Sequence, residues 1–125
     1  MDLTQQTPGD HFYIHSVSDQ GIRVVDQIHN TALIVSAQHL LPGWPVSNAR
    51  EIEAHHIEAI FELKPEVVLI GTGRDQIFLA PELLMLFYQR SIGVEVMNTQ
   101  AACRTFNVLV SEYRNVVAAL LPPEN

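Results

Sequence analysis

The chain has 125 residues, with 14 Asp and Glu against 7 Lys and Arg, for a formal charge of −7. Its 47% hydrophobic content suits one folded domain with a continuous core and excludes a disordered chain. The acidic balance argues against a nucleic-acid groove or an anionic membrane surface as the main partner, because both require clustered Lys and Arg.

The amino-terminal half reads as strands. Phe12, Ile14 and Ser16 alternate with Tyr13, His15 and Val17, and Ser18-Asp19-Gln20-Gly21 supplies turn chemistry before Ile22-Arg23-Val24-Val25. A further extended run over 32–38 continues into Leu40-Leu41 and stops at Pro42-Gly43-Trp44-Pro45. That segment is expected at the surface, with Trp44 as a candidate interface anchor. From residue 48 the period changes. Asn48 and Glu51 predict a capping-box start, and Ile52, His56, Ala59, Ile60 and Leu63 share one face of a helix ending before Pro65. Val67-Val68-Leu69-Ile70 reads as a central strand apolar on both faces, closed by Gly71-Thr72-Gly73. Pro81 opens a helix through Gln89 whose stretch Leu83 to Phe87, apolar all round, predicts burial on most sides. A strand over 92–97 comes next. Thr99 then caps a long helix to about Leu120, with Ala102, Phe106, Leu109, Tyr113, Val116 and Leu120 as its packing face.

Strand and helix alternate after residue 48, so the core is α/β, with the amino-terminal strands extending the sheet or forming a small layer of their own. One domain is expected over 8–121, with tails at 1–7 and 122–125. Residues 1–63 carry 8 acids and 2 bases and residues 64–125 carry 6 and 5, so the acidity belongs to the β-rich half. No apolar run approaches the ~20 residues of a membrane helix, and the polar start lacks a secretory pattern. A single cysteine cannot form an internal disulfide, and a cytoplasmic location is expected.

Several constellations invite chemistry. Gly71-Thr72-Gly73 ends a strand where open α/β sheets place ligands, although Gln76 stands where a dinucleotide fingerprint needs its third glycine and no Gly-Lys-Ser/Thr comes after it. The six histidines, at 11, 15, 29, 39, 55 and 56, lack ligand spacing, so no metal is expected. Cys103 beside Arg104 sits where a helix start favours a thiolate, but the nearest histidine is 47 residues upstream (103 − 56 = 47). No nucleophile elbow is present. Arg104, Asn107, Ser111 and Arg114 form a polar stripe, flanked by Thr105 and Glu112, in the vocabulary of carboxylate or phosphate recognition and of buried polar networks alike.

Gly71-Thr72-Gly73, the strand Ile92 to Thr99, Ala102-Cys103-Arg104-Thr105-Phe106-Asn107 and Glu112-Tyr113-Arg114 succeed one another in a characteristic order. In them the chain resembles a small, largely uncharacterised domain family. It includes a mitochondrial respiratory complex I assembly factor, the adipogenesis-associated domain protein and many short bacterial relatives. Trp44 also fits. Phe106 replaces a usual tyrosine, and Tyr113 a usual glycine. The resemblance implies a three-layer fold with a mixed central sheet, helices and an extra β layer. It assigns no reaction and no cofactor.

Two functions are compatible with these features. The first is a non-enzymatic interaction or assembly factor with a protein partner; homo-oligomers are permitted and an integral membrane segment is not. The second is a site for an anionic or polar small molecule, with or without catalysis, between the Gly71-Thr72-Gly73 turn and the last helix. Its candidate ligand residues are Gly71, Thr72, Gly73, Thr99, Arg104, Thr105, Asn107, Glu112 and Arg114.

Overall fold

The computed structural model describes residues 11–123, so the expected tail at 1–7 lies outside the described residues. Strands β1 (Ile14–Ser18), β2 (Gly21–Val24) and β3 (Gln27–His29) form a small antiparallel sheet. Next come β4 (Leu33–Ser36) and β5 (Leu40–Pro42), then helix α1 (Glu58–Glu62) and strand β6 (Val67–Gly71). Helix α2 (Pro81–Tyr88), strand β7 (Gly93–Met97), helix α3 (Thr99–Ser111) and strand β8 (Val116–Leu120) complete the order. The central sheet has the order β5-β4-β8-β6-β7. Its β6 pairs parallel with β7 and β8, while β4 pairs antiparallel with β5 and β8, so the sheet is mixed. The amino-terminal strands therefore do both things expected of them, three forming their own layer and two extending the sheet.

Strand periodicity divides the core. Ile34, Val68, Ile70, Val117 and Ala119 point to one face, where α1, α2, Trp44 and Val46 cover them. Leu33, Val35, Leu69, Ala118 and Leu120 point to the other, against α3 and the inner side of the small sheet. Both faces of β8 are buried, as its wholly apolar sequence requires.

Four expectations are corrected. The last helix stops at Ser111, and residues 116–120 form the middle strand of the sheet. Tyr113 takes φ 63°, its amide donates to Val110 O at 2.9 Å, and the Arg114 amide donates to Leu109 O at 2.9 Å. These two bonds close the helix end in a Schellman motif, which explains a glycine preference there. The helical spacing of Val116 and Leu120 is a coincidence of a short apolar run, which reads equally as strand. The helix expected over 48–64 is instead two 3-10 turns, Ala49–Glu51 and Ala54–Ile57, followed by the short α1. Asn48 Oδ1 accepts from the Arg50 amide rather than from Glu51, and Ile52 is extended. Ile52, Ile57 and Ile60 are buried all the same, so packing overrides helical regularity. Trp44, expected exposed, is only 6% accessible, and its indole N–H donates to His56 O at 2.9 Å. It anchors the core and is not a surface residue. Helix α2 buries Leu83 and Phe87 but leaves Met85 exposed.

Left-handed backbone costs a non-glycine residue about 1–2 kcal/mol, partly offset by the greater unfolded-state freedom of glycine. Tyr113→Gly should therefore raise stability by roughly 0.5–1 kcal/mol, visible as a higher urea midpoint at unchanged slope.

Candidate functional site

The turn after β6 is a closed internal junction. A Cβ on Gly71 would lie 2.9 Å from Thr99 Oγ1 and 3.0 Å from Leu120 Cδ2, so only glycine lets the end of β6 meet the start of α3. Gly73, at φ 101°, donates its amide to Thr99 Oγ1 at 2.8 Å and accepts the Thr99 amide on its carbonyl at 2.9 Å. The Thr99 hydroxyl in turn donates to Leu121 O, and Leu121 donates its amide to Gly71 O at 2.9 Å. Thr72 is buried as well; its hydroxyl donates to Asp75 O at 2.6 Å and accepts the Ile77 amide at 3.1 Å. Gly71, Thr72, Gly73 and Thr99 thus spend their polar groups on one another and on neighbouring backbone. Cradling a phosphate would require dismantling that junction. Asn98, and not Thr99, is the α3 cap: it accepts the Ala101 amide on Oδ1 at 2.8 Å, and Thr99 is already the first helical residue.

The polar stripe on α3 separates into parts with different jobs. Thr105 turns back, donating to Ala101 O at 2.9 Å. Ser111 does the same to Val108 O at 2.7 Å. Asn107 behaves as a piece of backbone: Oδ1 accepts the Ile14 amide and Nδ2 donates to Ile14 O, both at 2.8 Å. It ties the small sheet to α3 at the place where the β1–β2 register slips, between Ile14 and Ser16. Arg104 faces a groove that Asn107 also lines. That groove, about 300 Å³, lies between β1 and α3 with His15, Ser16 and Gln100 along it, and the Arg104 guanidinium makes no hydrogen bond or ion pair among the described residues. A second hollow of about 200 Å³ continues it past Val17 and Gln100 toward Gly73 and Pro123.

Glu112 and Arg114 lie elsewhere. Helix α3 is about 20 Å long at 1.5 Å per residue, and they stand beyond its far end. Arg114 Nε contacts Glu66 Oε1 at 3.2 Å, beside the Asn115 amide at 3.0 Å on the same oxygen. The Asn115 amide first, and then Arg114, hold the Glu66 carboxyl below its ordinary value. The predicted ligand set therefore does not converge: four residues form the junction, two bond to backbone along α3, Arg104 faces a groove, and two close a distant turn. Cys103 is buried, and desolvation pushes its thiol up to about 12 against the weaker opposing effect of Arg104, so it is no thiolate. Phe106 is fully buried, where an apolar ring packs without a hydroxyl to satisfy. Among the described residues no three His, Cys, Asp or Glu side chains group as metal ligands.

Phe78 is not singled out by any motif in the sequence. It is 86% exposed in the segment between the turn and α2, and Met85 and Tyr88 are exposed on α2 at helical spacing. The available signal is an aromatic within the apolar run Ile77-Phe78-Leu79 just ahead of Pro81.

A mixed five-stranded sheet with helices on both faces and a small amino-terminal β layer defines an α/β domain whose strand-end crevice is filled by its own residues. The chain belongs to the family described as protein of unknown function (DUF498/DUF598), which matches residues 14–121. It is 32% identical over 126 residues to the NADH dehydrogenase (ubiquinone) 1 alpha subcomplex assembly factor 3 of Xenopus tropicalis, covering 96% of this chain and 66% of that protein. With the Bos taurus factor of the same name it shares 37% identity over 117 residues, covering 89% of this chain and 61% of that one. The chain thus spans less than two thirds of either relative. A crystal structure of a Bordetella parapertussis protein superimposes with a TM-score of 0.85 at 37% identity, covering 90% of this chain and 96% of that one. The family resemblance and the fold it implied are both borne out.

Asn107→Ala would leave the Ile14 amide and carbonyl without their shared partner. It should cost about 2 kcal/mol in urea unfolding, with faster amide exchange at Ile14 than at the β6 amides.

Proposed function

We propose that the chain is a non-enzymatic interaction or assembly factor that acts in the cytoplasm by holding a partner protein. One observation carries this reading: the family match covers the folded unit, residues 14–121, and the similarity to the curated assembly factors covers 96% and 89% of this chain, so what is shared is the domain itself. The distribution of polar groups supports it. The strand-end crevice is occupied by its own hydrogen bonds, while Phe78, Met85 and Tyr88 are exposed on the segment that ends in α2. An exposed aromatic flanked by apolar neighbours is the usual chemistry of an interface anchor. The tagged chain, crosslinked in its own cells, should capture a discrete and saturable protein partner identified by mass spectrometry. Phe78→Ser should lower that capture by about tenfold with the fold intact. A chain recovered alone, or linked only to itself, overturns the reading.

Arg104 favours a second reading, a groove for a small anion. Its guanidinium has no partner among the described residues, and His15 and Gln100 line the same hollow. A ligand bound only to the native state raises the melting temperature. Stabilisation by phosphate or a small carboxylate that disappears in Arg104→Ala would support this reading; equal responses of parent and variant would remove it.

A further inference from the structure

Ladder register settles which way each backbone group of β7 points. The Gly93 amide donates to Glu66 O at 3.1 Å, and Met97 O accepts the Thr72 amide at 2.9 Å. Residues 93, 95 and 97 therefore turn their polar groups inward to β6, and Val94 and Val96 turn theirs outward. Among the described residues β7 is the last strand of the central sheet, and no further strand receives them. Gln76 Nε2 donates to Val96 O at 3.0 Å. The Val94 amide and carbonyl and the Val96 amide have no partner among the described residues. The opposite edge differs: β5 has three residues and ends in Pro42, which has no amide hydrogen.

The side chains of β7 select what may pair there. Val94 and Val96 lean on the α2 face, where they pack partly buried against the core. Glu95 stands on the other face and is exposed. Because its polar groups point inward, a residue facing it on an added antiparallel strand would occupy a non-hydrogen-bonded pair, with Cβ atoms about 4.5–5.5 Å apart. A second copy of this chain that paired Val94 with Val96 in both directions would set Glu95 against Glu95. Two chains of charge −7 add to that repulsion. A lysine or arginine at the facing position meets the opposite situation. Phe78, two residues beyond Gln76, offers an exposed ring close to the same edge.

We propose that β7 is a docking edge that takes an extended segment of a partner protein as an additional antiparallel strand, with a Lys or Arg facing Glu95 and apolar residues on either side of it. Backbone pairing supplies affinity, and the alternating side chains supply selection. The partner being a protein rests on the assembly reading above; the edge geometry does not.

The test uses the full chain, labelled for amide NMR, and two synthetic peptides with the core Thr-Val-Lys-Val-Thr or Thr-Val-Glu-Val-Thr. The lysine peptide should shift the Val94 and Val96 amides and slow their exchange, and bind at least about tenfold more tightly than the glutamate peptide. Glu95→Lys should invert that preference. Val94→Pro removes an outward donor and no ladder bond, and should weaken binding by about tenfold; if that variant fails to fold, the inversion in Glu95→Lys decides alone. Equal binding of both peptides, shifts confined to other residues, or no shift at about 1 mM peptide overturns the proposal. A crosslinked partner whose capture is unchanged by Glu95→Lys also overturns the edge and leaves the assembly reading standing. Peptide docking with the predicted preference, in a chain that captures no partner in cells, upholds the edge and overturns the assembly reading.

Discussion

The hydroxyl of Thr99 holds together the end of the sheet on which the rest of the fold depends. Fully buried, it accepts the Gly73 amide and donates to Leu121 O, so one oxygen joins the turn after β6, the first residue of α3 and the chain leaving β8. The contact is possible only because Gly71 has no side chain, since a Cβ there would sit against both Thr99 and Leu120. A buried hydroxyl left unpartnered costs a few kcal/mol, so the residues around it are constrained to supply both a donor and an acceptor. The crevice at the carboxyl ends of parallel strands is where α/β sheets usually receive ligands. Here the protein's own backbone occupies it. The same glycines that suggest anion binding in sequence serve close packing in the fold.

That substitution of roles marks the boundary between what is legible in the sequence and what is not. β6, β7, α2 and the start of α3 are legible because their signals are local: a continuous apolar run, a proline at a first turn, a polar residue ahead of a periodic face. Val116–Leu120 reads wrongly as helix because a five-residue apolar stretch carries both periods, and its true place depends on partners more than forty residues away in β6 and more than eighty away in β4. Trp44 misleads for a related reason. Its neighbours Pro42, Gly43 and Pro45 describe an irregular surface segment, but the acceptor that lets its indole N–H go inside, the His56 carbonyl, lies twelve residues on. Asn107 is the clearest case at the candidate site. Its residue type announces hydrogen bonding, and nothing local shows that both bonds go to one residue of β1, 93 positions earlier.

The helix ends show a second kind of illegibility. α1, α2 and α3 are each succeeded by a non-glycine residue in left-handed backbone, Lys64 at φ 53°, Ser91 at 61° and Tyr113 at 63°. Glycine is the usual signal of such stops, and it is absent from all three. The strain is tolerated because long-range structure fixes the chain just past each stop: Pro65 and β6 after α1, β7 after α2, and β8 after α3. Where Arg114 and Asn115 meet Glu66, the turn after α3 and the turn before β6 hold each other in register.

With the crevice filled and the single thiol buried, the backbone groups left open among the described residues include those at the rims of the central sheet, and its two edges differ in how they are left. β5 is short and stops at a proline, which removes an outward donor and blunts that edge for any partner. β7 keeps the outward amides of Val94 and Val96 open among the described residues, with Gln76 covering the Val96 carbonyl and the charge of Glu95 standing between them. A charge at an open edge discourages copies of the same chain, which bring the same charge, and tolerates a strand that brings the opposite one. Proline cannot make that distinction, because it removes the donor for every partner alike. The choice of Glu95 over a proline or a bulge at this edge is therefore the feature that separates an edge built to stay closed from one built to discriminate.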